Sequence, residues 1–204
     1  MYGLHFSDTI AGRVFSQTPT PLGLAIPIYS ATAIGGAGVC SLPIWNPPGS
    51  GVLVELIEIN IERASGTSDF GAIGIMAGYV TAIGTATGCS ALASTTPVNC
   101  YLGSQSGSRV VSNNGAGTVT VTAGTTGAPV QGTAGAGWVR TLFCFNLEAD
   151  TGTAHANSIC EKDMKGTFVI PPGVLIYLAA TKASVALEAS SIVWKEIPIN
   201  SSVA

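Results

Sequence analysis

His5 and His155 are the only imidazoles in the chain, so a Ser/His/Asp or Cys/His site has to use one of them. A Ser/His/Asp site needs a positioned base and a carboxylate to orient it. The stretch "DTGTAHANS" supplies Asp150 and His155 five residues apart, with serine nearby. A solvated loop histidine is the simpler reading, because the segment has no strand or helix pattern to hold such a geometry. "GSQSG" (103 to 107) and "GSGV" (49 to 52) loosely resemble a nucleophile elbow. The first has the wrong spacing, and neither leads from a strand into a helix.

Paired carboxylates are the second possibility. Glu55, Glu58 and Glu62 lie along one apolar run, "GVLVELIEINIER" (51 to 63). Period-two alternation places Glu55 and Glu58 on opposite faces, with Glu58, Asn60 and Glu62 sharing one. On an extended strand Glu58 and Glu62 stand roughly 13 Å apart, beyond the roughly 5 to 10 Å that two glycosidase acids need. Charges that discourage unwanted edge pairing explain them better. Asp69, Asp150 and Asp163 are single acids in no acid-dense loop, so no dedicated calcium site is expected. "PPGSGV" lacks the lysine and following helix of a phosphate loop.

Five cysteines (Cys40, Cys89, Cys100, Cys144, Cys160) make an odd count with no CxxC pair and no histidine at metal-ligand spacing. Buried or half-buried thiols are expected; a Cys89–Cys100 disulfide is the alternative and needs an oxidising compartment. No enzyme, cofactor or metal is therefore expected. The residues left for recognition are aromatic: Trp45, Tyr79, Tyr101, Trp138 and Trp194. Trp45, Trp138 and Trp194 fall in or at the ends of strands, while Tyr79 and Tyr101 flank a charge-free stretch. Exposed rings of this kind stack on sugars or fill protein interfaces, although core packing is the commoner fate of tryptophan.

The surroundings of these residues are set by composition. Only 9% of the 204 residues are charged, against about 25% in an ordinary soluble protein. The 26 glycines, with abundant Ser and Thr, favour strands and turns over helices. A net charge of −3 with eight scattered Lys and Arg offers no patch to neutralise several phosphates, which disfavours direct nucleic-acid binding. A surface so poor in charge is weakly protected against association, so cover by copies of itself or by partners is expected. Residues 14 to 54 and 70 to 108 carry no charge, yet Pro, Gly, Ser and Thr interrupt both, and neither provides about 18 consecutive apolar residues for a membrane span. The start, "MYGLHFSDTIAGRVF", does not read as a secretory leader, and synthesis in a cytoplasm is expected.

Strand patterns run at 51 to 63, 138 to 149, 173 to 182 and 184 to 199, the last two reading as an antiparallel hairpin. Weaker ones fall at 12 to 17, 22 to 31, 38 to 45, 70 to 80, 108 to 112 and 118 to 123. No segment makes a convincing amphipathic helix; residues 153 to 165 are expected to give at most one helical turn. Residues 81 to 137 are rich in Gly, Thr and Ala and read as a loop-rich insertion projecting from the body. Residues 1 to 12 read as an N-terminal arm able to reach over a neighbour.

Pro-Pro-Gly occurs twice, in "NPPGSGVLVELIEINIE" (46 to 62) and "IPPGVLIYLAATK" (170 to 182), each time just before a long strand. Proline has no amide donor and glycine permits a sharp reversal, so both mark corners. The expected architecture is one all-β domain over 1 to 204, a two-sheet antiparallel β-sandwich of jelly-roll or Greek-key type.

"GRVFSQTPTPLGLAIPIYSATA", "LPIWNPPGSGVLVELIEINIERASGT" and "GTFVIPPGVLIYLAATKASVALEASSIVWKEIPI" together resemble small virion structural proteins of tailed bacteriophages, including the closing Trp194-Lys195-Glu196-Ile197-Pro198. The resemblance covers the two ends, about half of the chain, and not 81 to 137. It implies a decoration or cement protein of the capsid, made in the bacterial cytoplasm and carried in the virion. Its partners would be the major capsid protein and copies of itself, as a trimer. A tail- or head-fibre module that contacts host glycans through the 81 to 137 loops is the alternative. No catalytic residue is implied.

Overall fold

The computed structural model describes residues 3–18, 41–66, 72–79, 97–104, 106–112, 139–146, 159–180 and 187–199. Among them one helix, α1 (Gly3–Ile10), precedes β1 (Val14–Gln17), β2 (Ser41–Trp45), β3 (Val52–Ser65) and β4 (Ala72–Tyr79). Two short strands follow, β5 (Val98–Asn99) and β6 (Val111–Ser112), then β7 (Val139–Asn146) and β8 (Ile159–Asp163). The described elements close with β9 (Val169–Ile170), β10 (Val174–Ala180) and β11 (Leu187–Pro198). The expected strands at 22 to 31 and 118 to 123 lie outside the described residues.

The strands make two sheets, all of whose neighbours are antiparallel. One runs β5-β1-β11-β3-β8 with β9 also on β3; the other runs β6-β2-β10-β4-β7. One apolar core draws on both: Phe15, Leu56, Ile59, Ile61, Ile192 and Trp194 from the first, and Ile44, Ile73, Ile75, Ile176 and Leu178 from the second. The all-β, two-sheet expectation is met. Residues 173 to 182 and 184 to 199, however, do not form a hairpin. β10 lies in one sheet and β11 in the other, each between two earlier strands, because both are apolar enough to be central. In β10, Leu175 and Tyr177 are buried as deeply as the core-facing Val174, Ile176 and Leu178, so both faces of this strand are covered.

Both Pro-Pro-Gly corners are tight turns. Ser50 N–H donates to Pro47 O (3.1 Å), with Pro48 and Gly49 (φ +80°) at the centre. Val174 N–H donates to Pro171 O (3.3 Å), with Pro172 and Gly173 (φ +90°) at the centre. Pro followed by a left-handed Gly is the type II pattern. Asn46 joins the two corners. Its backbone pairs with Gly173 and Val174, and its buried carboxamide donates to Val52 O and Ile170 O, both at 3.0 Å.

Strand β3 changes phase. Its register with β11 slips between Leu56 and Glu58, leaving Ile57 as a bulge residue. Val52, Val54 and Leu56 face the core before the slip, and Ile59 and Ile61 after it. Glu55 and Glu58 therefore share the outer face, contrary to the simple alternation expected from sequence. The bulge is filled by the turn after β8, where Met164 N–H donates to Ile57 O (2.7 Å) and Gly166 N–H to Leu56 O (3.2 Å). Lys165 (φ 49°) and Gly166 (φ 70°) are both left-handed, as in a type I′ turn. Residues 159 to 163 are strand rather than the expected helical turn, since β3 offers them a free edge.

A methyl group on Gly166 would fall directly on Glu55 Oε1, whereas nothing lies within 4 Å of the same position on Gly49. Both residues are left-handed, so Gly49→Ala is expected to cost about 1 kcal/mol, the backbone penalty alone. Gly166→Ala is expected to cost about 3 kcal/mol, because it also displaces a carboxylate from its ion pair. Urea unfolding of the two variants checks this; equal losses would mean that Glu55 moves aside freely.

The expected N-terminal arm carries the helix. α1 ends where Gly12 N–H donates to Thr9 O (2.8 Å) and Arg13 N–H to Asp8 O (3.0 Å), with Gly12 at φ +69°. This is a Schellman ending, and it turns the chain directly into β1. The described part of the 81 to 137 segment includes two edge strands. β5 pairs with β1 at the edge of one sheet, and β6 with β2 at the edge of the other.

Candidate functional site

The sequence candidates for catalysis are not brought together among the described residues. Asp69, Asp150 and His155 lie outside them, and His5 falls within α1. Glu58 accepts from Asn60 Nδ2–H (2.6 Å), Glu62 is exposed, and Asp163 Oδ1 accepts from Lys165 N–H (2.9 Å). Among the described residues no three His, Cys, Asp or Glu side chains are grouped to hold a metal ion. Cys100 is a free, half-buried thiol; burial pushes its pKa up, only partly offset by a hydrogen bond with Ser16, so it stays protonated at neutral pH. Cys89 lies outside the described residues.

Charged and exposed apolar side chains collect instead at one corner, where α1, β1, β5, the turn after β5 and the end of β11 meet. Each is positioned by local sequence. Gly12 is buried and left-handed, and a Cβ there would come within 2.6 Å of Ser104 Oγ, so only glycine lets the two segments approach. On the outer face of the first sheet a chain of charges ties helix to strands. Arg13 pairs with Asp8, Asp8 with Lys195 Nζ (3.4 Å), and Lys195 with Glu55 (2.6 Å), its cross-strand partner. Burial disfavours the Lys195 ammonium, but the hydrogen bond and charge of Glu55, with Asp8 behind them, outweigh it and hold the pKa above the ordinary lysine value.

Beside this network Asn99 organises a turn. Its side-chain N–H groups donate to Gly12 O (2.9 Å) and Ser106 O (3.2 Å), while its Oδ1 accepts from Tyr101 N–H (2.9 Å). Ser104 N–H donates to Tyr101 O (2.8 Å), and Ser104 Oγ accepts from Ser106 N–H (3.1 Å). The braced loop presents apolar side chains to solvent: Val98, Tyr101 and, at the apex, Leu102, which is 88% exposed.

A cleft of about 320 Å³ opens at the same corner. Phe15, Val52 and Pro198 form its apolar lining, and Arg13, Arg109 and Glu196 its charged lining. Glu196 is buried and already supplied with donors, accepting from Ser108 Oγ–H and from Arg109 N–H (3.1 and 3.2 Å to its two oxygens). Across the sandwich edge, Ser112 Oγ–H donates to Gln17 Oε1 (2.8 Å), linking β6 of one sheet to β1 of the other.

The aromatic candidates separate. Tyr101 is exposed on the braced turn, and Trp45 is half-buried at the end of β2. Tyr79 ends β4 opposite Val174, and Trp138 lies outside the described residues. Trp194 is fully buried against Phe15, ring centres 6.1 Å apart at 29°, and belongs to the core of the single chain. Sequence reasoning passed over Leu102, Arg13 and Arg109, and met Glu196 only as part of the closing motif. Only the turn residues around Leu102 ("YLGS") could have pointed to an exposed apex. No protein-family model, no curated protein and no solved structure matches the chain.

Proposed function

We propose that the sandwich is a jelly roll and that the chain is a structural protein of a tailed-phage virion, a capsid decoration protein that self-associates as a trimer and cements neighbouring capsid subunits. The fold reading rests on the pairing order. With the two-residue strands β5, β6 and β9 set aside, β1 pairs with β11, β2 with β10, β3 with β8 and β4 with β7. A hairpin of eight strands rolled up on itself has this order, which serves capsid and lectin domains alike. The observation that carries the assembly reading is the braced turn, whose Val98, Tyr101 and Leu102 stay exposed on a chain with few charges to keep copies apart. The same turn lies in the 81 to 137 segment, and this favours a second reading, a fibre module that stacks Tyr101 on a host glycan.

Leu102→Ser tests the reading. The wild-type chain is expected to sediment as a trimer and to bind purified capsids, and the variant to lose both while keeping the wild-type unfolding midpoint at dilutions where both are monomeric, because an 88% exposed side chain contributes little to the monomer. A monomeric wild-type protein with no affinity for capsids overturns it. Saturable binding to host glycans that Tyr101→Ala abolishes would establish the fibre reading in its place.

A further inference from the structure

We propose that the cleft lined by Phe15, Val52, Pro198, Arg13 and Arg109 is a binding site for a peptide carboxylate flanked by an apolar residue. The cleft lies beside the exposed turn rather than on it, and the inference holds whether or not the chain is a virion component.

Charge bookkeeping selects the ligand class. Four arginines serve the whole chain, and two of them line this one cleft. The carboxylate in the lining, Glu196, does not use their guanidinium groups, because a serine hydroxyl and a backbone amide already satisfy it. Arg109 is exposed, and its side chain makes one protein hydrogen bond among those described, from Nη1 to Ser50 O (3.3 Å). Arg13 shares Asp8 with Lys195, and its Nε is buried, so the open donors of the cleft are those of Arg109. Planar donors left unfilled in this way match a carboxylate's two oxygens.

Arg13 is already paired with Asp8, and Glu196 is held by its own hydrogen bonds, so Arg109 is the lining guanidinium with no carboxylate partner among the described residues, which suits a single negative charge better than a phosphate dianion. Phe15, Val52 and Pro198 add an apolar wall for the residue that carries or precedes the carboxylate. The volume, about 320 Å³, is at the small end of ligand sites and admits one or two residues, not a folded domain. Glu196 serves the site indirectly, since its bonds to Ser108 and to the Arg109 amide fix the backbone from which the Arg109 side chain extends.

Calorimetric titration of the whole chain tests this with four probes: an acetylated tripeptide ending in leucine with a free carboxylate, the same peptide amidated, an amidated version with glutamate before the leucine, and inorganic phosphate. Saturable binding is expected for the first or third, the two sources of the carboxylate, and not for the amidated parent or for phosphate. Arg109→Gln is expected to weaken binding about tenfold while leaving the unfolding midpoint unchanged, and Arg109→Lys to restore it only in part. Absence of saturation by both acid-bearing peptides, equal binding of the amidated parent, phosphate binding as tightly, or an unaffected Arg109→Gln variant would each overturn the proposal.

Discussion

Asn46→Asp is expected to destabilise the protein by about 4 kcal/mol, and Asn46→Ala by about 2 to 3. The carboxamide is fully buried and spends both N–H bonds on carbonyls from opposite ends of the chain, Val52 O and Ile170 O, while its own Oδ1 accepts from nothing among the described residues. Alanine removes two donors and strands two buried acceptors. Aspartate fills the same space but turns an acceptor oxygen toward carbonyls that need a donor, so it either carries an unpaired buried charge or folds with a captured proton. In a domain whose whole stability is of the order of 5 to 15 kcal/mol, that loss moves the urea midpoint far down. An Asn46→Asp variant within about 1 kcal/mol of wild type would show that the corners hold without the amide.

Trp194→Ala is expected to cost a similar amount, about 4 kcal/mol, by opening a cavity where an indole now fills the centre of β11. Its ring is fully buried and stacked on Phe15. Trp194→Phe, which keeps an aromatic partner for Phe15, is expected to cost about 1.5 kcal/mol. The measurement is denaturant unfolding of the dilute chain. A tryptophan working at an interface would instead leave the isolated chain as stable as wild type and lower only its association, and that outcome would refute the core assignment.

How far the sequence could be read depended on how local each determinant is. Pro-Pro-Gly names its own turn, because proline fixes one central φ and glycine alone takes the other comfortably, and both corners form as expected. That the corners touch was invisible, since nothing in "IWNPPG" says that its asparagine will meet Ile170 O, 124 residues away. Alternation in β3 was legible up to Leu56 and misled beyond it, because a bulge is imposed by the partner and here by the turn at Lys165-Gly166. Adjacent strands at the end of the chain suggested a hairpin; instead each is paired on both edges by earlier strands, β10 by β2 and β4 and β11 by β1 and β3. α1 was not read from the sequence, where residues 1 to 12 stood as an arm, because eight residues with no acidic residue in the first turn and no basic residue in the last give helix propensity little weight. At the corner site, the exposed Leu102 and the Arg109–Glu196 arrangement depend on where β5 and the end of β11 come to lie, and pattern alone carries no such information.

The placement of β10 and β11 also governs when the protein can fold. Each is the strand that joins two earlier ones, β2 to β4 in one sheet and β1 to β3 in the other. Among the described residues, a nascent chain that has not yet extruded them holds β1, β2, β3 and β4 with no strand partner in common, and the pairings that join β1 to β3 and β2 to β4 await these two strands. Such high contact order makes for slow, late, all-at-once closure. Until β11 is available the strands it will join keep unpaired edges, and shielding those edges in the interval is expected to raise the yield of folded chain.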